Sequence, residues 1–306
     1  MSVAREHIAA DRCAVAASVP LDWPGASNSR IAVAAGVQWH VQIQGTGPVA
    51  VLLHGAGASS HSMVPLSQEL NGAYCCIGID LPGHGFTSSY PQGDYTLRRT
   101  ARALDALFGA LEITPALIIG HSAGAAIALR WLLDQDAAAE APPPFLVAIN
   151  PALEPFGGAA RFAFPALARL AAGSASLASF MARQARGRRQ VERLIESTGS
   201  QIPEPMLDCY QALFQRDAHV RAVLSMMAGW QLQGLVDTVC ARDPELHVVV
   251  GDRDRAVSPG RTLSVLRRLS RATLSRLPDY GHLVHETAPA QVARAVRDAI
   301  DQRAQL

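Results

Sequence analysis

Ser122 stands in Gly120-His121-Ser122-Ala123-Gly124, directly after the apolar run Ala116 to Ile119 and directly before Ala125-Ala126. A serine at a sharp strand-to-helix turn presents its hydroxyl for attack on an acyl carbon, and flanking glycines let strand and helix approach closely. The start of the following helix favours the negative charge that such an attack develops. The hydroxyl is a weak nucleophile until a base accepts its proton, and the base needs an orienting carboxylate. Both partner types occur late in the chain. Asp252 and Asp254 lie in Gly251-Asp252-Arg253-Asp254-Arg255, just past Val248-Val249-Val250, and either is a candidate acid. His282 lies in Tyr280-Gly281-His282, while His285, its rival as base, falls in the next helical turn. A tetrahedral intermediate needs two backbone N–H donors for its oxyanion. Ala123 supplies one, and Ala56 in His54-Gly55-Ala56-Gly57 is the candidate for the other. His54, and His84 in Pro82-Gly83-His84-Gly85, read as loop-organising residues rather than acids or bases.

Other chemistries find little support. The histidines are scattered without H-x-x-x-H or similar spacing, so no metal site and no cofactor are expected. The chain contains no lysine, all 27 basic residues being arginine, which excludes a Schiff-base or phosphate-loop lysine.

The candidate residues need elements to hold them. Residues 1–30 are irregular, with Pro20, Pro24 and Gly25 as breakers. From Ile31 to Ile43, Val37, Trp39, Val41 and Ile43 alternate with Gln38, His40 and Gln42, a period-2 pattern that predicts antiparallel strands. Val49 to Leu53, Tyr74 to Ile79, Ala116 to Ile119 and Phe145 to Ile149 are continuous apolar runs, the pattern of parallel strands buried on both faces. Helical spacing fills the intervals at Ser62 to Leu70, at residues 96–112 and from Ala123 to about Leu133. Strands alternating with helices predict a doubly wound, mostly parallel α/β sheet. The rhythm stops between about Pro151 and Cys240, where only helical segments are legible. It resumes at Leu246 to Val250 and Ala272 to Leu277 and closes with a helix from Pro289 to Gln302. The domain reading is therefore a core in two parts, residues 1–150 and 241–306, interrupted by an inserted helical cap at 151–240.

The insertion is rich in large apolar residues, among them Phe156, Phe162, Phe164, Leu167, Leu170, Leu177, Phe180, Met181, Phe214, Met226, Met227 and Trp230. They read as the cap's own core and seam, and some of them as the lining of a pocket for a flat or greasy small molecule. Arg183, Arg186, Arg188, Arg189 and Arg193 form a basic run, a solvated helix face with the alternative of engaging carboxylates, anionic lipid or an acidic partner. The small-residue, apolar stretch 162–182 is a candidate for peripheral membrane contact.

Bulk properties narrow the class further. With 49% hydrophobic residues, 17% charged and a net charge of +1, the 306-residue chain can bury a large core and carries no field for nucleic acid. Cys13, Cys75, Cys76, Cys209 and Cys240 are odd in number, lack C-x-x-C spacing and read as buried reduced thiols. The N-terminal residues carry Arg5, Glu6, Asp11 and Arg12 with no apolar run of signal-peptide length, so the expected location is the cytoplasm.

Strand, G-x-S-x-G, helix and inserted cap together resemble the α/β-hydrolase fold. That resemblance implies the chain order serine, acid, histidine. It therefore favours His282 as base, and Asp254 as acid because this fold normally uses the third position after the strand-end glycine. It also implies ester, thioester, amide or C–C acyl cleavage rather than the chemistry of branches with Asp or Cys at the elbow.

Within that fold the chain is similar to the BchO-type magnesium-chelatase accessory proteins of bacteriochlorophyll biosynthesis. The likeness runs from Asp22-Trp23-Pro24 and Gly36-Val37-Gln38-Trp39-His40 through Asp80-Leu81-Pro82-Gly83-His84-Gly85-Phe86-Thr87 to the elbow. Its most specific segments are Asn150-Pro151-Ala152-Leu153 with Pro155-Phe156-Gly157-Gly158, Glu192-Arg193-Leu194-Ile195 with Ser197-Thr198-Gly199-Ser200, and Met226-Met227-Ala228 before Trp230. The resemblance implies a role near magnesium insertion into protoporphyrin IX. It also implies an apolar small-molecule substrate, with a tetrapyrrole as the candidate, and magnesium-chelatase subunits as partners. Two alternatives stand beside it: a non-catalytic porphyrin- or chelatase-binding accessory protein, and a general carboxylesterase outside the pathway.

Overall fold

A computed structural model of the chain describes residues 13–15, 18–135, 142–153, 187–230, 232 and 234–305. Nine strands form one sheet: β1 (Ala14–Val15), β2 (Ser29–Ala34), β3 (Val37–Gln44), β4 (Val49–Leu53), β5 (Cys75–Ile79), β6 (Leu117–His121), β7 (Phe145–Ile149), β8 (Leu246–Gly251) and β9 (Ala272–Leu277). Their order is β1-β2-β3-β5-β4-β6-β7-β8-β9. The first three strands run antiparallel to their neighbours, and every pair from β5 to β9 is parallel.

The continuous apolar runs are explained by burial on two faces. In β4, Val51 and Leu53 join one core cluster while Ala50 and Leu52 join the other. The first face is covered by α2 (Leu97–Leu111) and α3 (Ala123–Asp134), through residues such as Leu104, Leu107 and Ile127. The second is covered by α1 (Val64–Leu70) and the C-terminal helix, which pack against each other. Each fully buried Leu or Val here contributes on the order of 1.5–3 kcal/mol relative to an exposed one.

Strand β3 departs from the simple alternation. His40 and Gln42, on its polar side, are buried. His40 Nδ1 lies 2.8 Å from Asp80 Oδ2 and its Nε2 lies 2.8 Å from Ser29 Oγ, while Gln42 Nε2 donates to Pro24 O at 2.8 Å. Asp80, Ser29 of β2 and Pro24 of the N-terminal loop supply these hydrogen bonds where water would otherwise be needed.

Between β7 and β8 the described chain is helical: α4 (Arg188–Ser197), α5 (Glu204–Phe214), α6 (Asp217–Gly229) and α7 (Leu235–Arg242). Val191, Ile195, Leu207, Tyr210, Phe214, Val220 and Leu224 cluster with Ala58 and Leu283, residues of the loops that follow β4 and β9. These helices therefore sit over the carboxyl ends of the strands. After β8 come α8 (Pro259–Leu266), α9 (Val284–Thr287) and α10 (Pro289–Ala304).

The residues Phe156, Phe162, Phe164, Leu167, Leu170, Leu177, Phe180, Met181, Arg183 and Arg186, the stretch 162–182 and the segment Pro155-Phe156-Gly157-Gly158 lie outside the described residues. Among the described residues no helix is long and apolar enough to cross a membrane. Cys75, Cys76 and Cys209 are buried, as expected, whereas Cys13 and Cys240 are half-buried, and none of the five is in a disulfide.

Candidate active site

Ser122 occupies the turn between β6 and α3 with φ 50° and ψ −109°, a backbone region that residues with a Cβ rarely adopt. Neighbouring backbone holds it there. Its N–H donates to Ile149 O at 2.9 Å, and its carbonyl accepts from Ala152 N at 3.1 Å. The flanking glycines are required by contact. A Cβ on Gly120 would lie 2.5 Å from Ala125 Cα, and one on Gly124 would lie 2.4 Å from Leu53 O.

The two candidate acids are used differently. Asp254 Oδ2 lies 2.7 Å from His282 Nδ1, and its Oδ1 accepts from the N–H groups of Ala256 and Val257 at 2.8 Å each. Asp252 instead pairs with the Arg276 guanidinium through both oxygens, at 3.0 and 2.9 Å, on the outer surface. Asp254 and His282 are 7% and 8% exposed, shielded yet within reach of the cavity. The rival base His285 is fully buried, stacks on His121 at 4.2 Å, and burial pushes it down to about 3. A histidine so placed is neutral at physiological pH and out of contact with solvent.

Two features that hold this pair in register carried no role in the sequence reading. Asn150 follows β7 with φ 42°, a left-handed conformation Asn tolerates better than most residues. Its Nδ2 donates to Gly281 O and His282 O at 3.1 and 2.8 Å, and its Oδ1 accepts from Gly251 N at 2.8 Å. One amide thus ties the ends of β7 and β8 to the loop that bears His282. The second is Thr198-Gly199-Ser200, after α4. Thr198 O accepts from Arg255 N at 3.1 Å and His282 N at 3.3 Å, and Ser200 Oγ accepts from Leu283 N at 2.9 Å. The only sequence signal for either was membership of segments that carried a family resemblance.

Ser122, His282 and Asp254 all line one cavity of about 840 Å³, and so do Ala56 and Ala123. As the first residue of α3, Ala123 carries an N–H that the helix itself cannot use. The opposite wall comes from the inserted helices and includes Leu194, Ile195, Phe214, Met227 and Trp230. Met226 is buried in the sheet's core cluster, in keeping with a place in the seam between the insertion and the sheet. Arg188 of the basic run is engaged by Glu204 and Asp208, while Arg189 and Arg193 are exposed and are not among the cavity-lining residues. The arginines that do line the cavity are Arg255 and Arg261, which the sequence reading did not single out.

Behind the cavity lies a dense set of buried histidines. Leu81 N–H donates to His54 Nε2 at 2.9 Å and His54 Nδ1 meets Gly55 O at 2.7 Å, so this ring braces two loops as a neutral group. Burial lowers the His54 pKa, and it drives that of His84 well below its ordinary value. His84 Nδ1 meets Pro82 O at 3.1 Å, and its ring meets that of His219 from α6. His121 Nε2 donates to His282 O at 2.9 Å. Across the seam, Tyr210 of α5 donates to Glu286 of α9 at 2.7 Å, and burial raises Glu286 to about 8. Among the described residues no group of three or more His, Cys, Asp or Glu is arranged to hold a metal ion.

This arrangement can activate a hydroxyl, stabilise an oxyanion and enclose an apolar molecule. Comparison with known proteins agrees with that type of fold. The model of the alpha/beta hydrolase family matches residues 50–295. The chain is 36% identical over 286 residues to the magnesium-chelatase 30 kDa subunit of Rhodobacter capsulatus, covering 93% of this chain and 98% of that protein. Among solved structures, an alpha/beta hydrolase fold protein from Burkholderia ambifaria superposes with a TM-score of 0.70 at 23% identity, over 86% of this chain and 94% of that one. A thermophilic esterase from Thermogutta terrifontis gives 0.67 at 20% identity, over 89% and 96%. At these identities the structural likenesses speak for the fold.

Proposed function

Because this chain belongs to the alpha/beta hydrolase family, in the branch of the magnesium-chelatase 30 kDa subunit, we propose that it is a serine hydrolase of an ester or related acyl bond. Ser122 Oγ attacks the acyl carbon while His282 Nε2 takes its proton. Asp254 fixes the ring by accepting from Nδ1–H and stabilises the imidazolium. The oxyanion accepts from the N–H groups of Ala56 and Ala123. His282 returns the proton to the leaving group, then takes one from the water that releases the acyl group. Residues 151–240 serve as the cap that selects the substrate.

The observation that carries this reading is the 2.7 Å Asp254–His282 pair in the same cavity as a serine held at φ 50°. A fluorophosphonate probe tests it. The wild-type protein becomes labelled at Ser122 and Ser122→Ala does not; equal absence of label in both overturns the reading.

The match to a chelatase subunit along nearly the whole chain supports a place in bacteriochlorophyll biosynthesis, in the cytoplasm, near magnesium insertion into protoporphyrin IX. On this reading the substrate is a tetrapyrrole-sized apolar molecule, and chelatase subunits are partners. The same match favours a second reading, an accessory protein that binds porphyrin or chelatase without catalysis. Complementation separates them: the hydrolase reading expects Ser122→Ala to fail in a deletion strain, and the accessory reading expects it to restore pigment. A gene located away from pigment genes would favour a general carboxylesterase instead.

A further inference from the structure

The polarity of the cavity is lopsided. The charged side chains that line it, among the described residues, are Asp254, Arg255 and Arg261. Asp254 is consumed: one oxygen faces His282 and the other accepts two backbone N–H groups. Of the two guanidinium groups, both on the segment that leads from β8 into α8, Arg261 already has an interaction of its own, and Arg255 remains. Facing them are apolar side chains of the inserted helices, Leu194, Phe214, Val223, Leu224 and Met227.

Arg255 differs from the arginines around it. Arg253 pairs with Asp279 at 2.7 Å and Arg276 with Asp252 at 2.9 Å, both directed to the surface. Arg255 makes no ion pair among the described residues, yet its base is fixed. Its N–H donates to Thr198 O at 3.1 Å, and its Cγ would lie 3.3 Å from a Cβ on Gly199. A guanidinium on an anchored stem, left without a carboxylate at the wall of an apolar cavity, is suited to a planar anion supplied by a ligand. The volume, about 840 Å³, is in the upper part of the ~300–1,000 Å³ range of small-molecule sites and leaves room for a body well beyond the scissile bond.

We propose that the cavity accepts an apolar acyl substrate carrying a carboxylate remote from the scissile bond, and that Arg255 binds this carboxylate. This rests on the serine-hydrolase reading for the word substrate, while the recognition itself is a binding property that can be measured without turnover.

The test uses the full chain with Ser122→Ala, so that nothing is consumed. Decanoate and decan-1-ol, which share an apolar chain, are titrated while the fluorescence of Trp230, a cavity-lining residue, is followed. Decanoate binds about tenfold more tightly than the alcohol, the factor expected of a charge-assisted hydrogen bond. Adding Arg255→Met removes that preference and leaves decan-1-ol affinity unchanged, whereas Arg255→Lys retains part of it. Equal affinities for the two ligands overturn the proposal, as does a preference that survives Arg255→Met. Because Arg255 is exposed, the thermal melt is expected to be unchanged by either substitution. Fluorophosphonate labelling of the wild type reports on the serine separately. A labelled serine without carboxylate preference overturns only this proposal, and a carboxylate preference without labelling overturns only the hydrolase reading.

Discussion

At Asp254 every carboxylate lone pair that matters is assigned: one oxygen holds His282 and the other caps the turn through Ala256 and Val257. Asp252, two residues earlier, spends both oxygens on Arg276 in a surface pair worth at most about 1 kcal/mol. The two neighbours therefore predict opposite mutants. Asp254→Asn should lower the rate of fluorophosphonate labelling, or kcat on a small ester, by about 10³–10⁴-fold, because the ring loses the acceptor that fixes its tautomer. Asp252→Asn should leave both within about twofold. A comparable loss in both variants, measured side by side with matched melting curves, would show that the orienting role lies elsewhere. Ser122 and His282 were legible because each sits in a short local pattern, glycines about a turn or a residue just past a strand. Spacing alone left the acid open between Asp252 and Asp254, and only their partners, Arg276 and His282, separate them. Arg255 was not legible at all, since what distinguishes it from Arg253 is a missing partner, and that is a property of the folded surface.

Among the elements, the parallel strands were the most readable. Val49–Leu53 and Phe145–Ile149 occupy the expected bounds, because a strand buried on both faces must be apolar throughout and turns punctuate it; Ala272–Leu277, a half-exposed edge strand of mixed polarity, occupies its expected bounds as well. The buried polar side of β3 was not readable, since Gln38, His40 and Gln42 alternate as a solvated face would. Their partners, Asp80 and Ser29 for His40 and Pro24 for Gln42, reach them by tertiary packing. The strap Thr198-Gly199-Ser200 is a similar case, gripping the acid and base loops from the segment between β7 and β8. At Gly199, φ is 82° and a Cβ would lie 2.2 Å from Arg253 O. At Gly281, a Cβ would lie 2.2 Å from Gly199 O. Two backbones nest here with no room for a methyl group. Gly199→Ala should therefore destabilise the protein by about 1–3 kcal/mol through strain and displacement of the acid loop. The melting temperature should fall by several degrees, and the labelling rate of Ser122 should fall with it. Gly109→Ala is the control: it lies within α2, its Cβ would meet nothing within 4 Å, and it should be neutral or stabilising by up to about 1 kcal/mol. If both variants melt together, close packing at the strap is not what holds it.

For the whole molecule, the inserted helices are joined to the sheet by buried hydrogen bonds that span long stretches of sequence. His219 of α6 accepts from Gly85 N and meets Gly57 O, both at 3.2 Å; Ser200 holds Leu283; and Tyr210 donates to Glu286 at 2.7 Å. No local pattern announces such pairs, because their members lie 76 to 162 positions apart in the Tyr210–Glu286 and His219–Gly57 cases. The Glu286 contact makes a prediction about stability against pH. Burial raises its carboxyl from an ordinary value of 4.5 to about 8, so between those limits the unfolded chain releases a proton that the folded protein keeps. By linkage, the contribution is complete below pH 4.5 and is lost as pH rises through 8. The buried histidines work in the opposite sense. Burial pushes His61, His219 and His285 down to about 3, so the stability they contribute is present above 6.5 and is lost as pH falls through 3. A single curve would mix the two effects; a difference between two proteins isolates one. Glu286→Gln keeps the shape and a neutral acceptor for Tyr210 while removing the titration, and the histidines are common to both proteins. In urea unfolding at a series of pH values, the wild type should lose stability relative to Glu286→Gln steadily between about pH 5 and pH 8, by a few kcal/mol in total, with flat differences on either side. A difference that stays constant across that window would mean that the seam accommodates an ionised carboxylate, with water or a rearranged Tyr210 replacing the partner that Glu286 Oε2 now lacks.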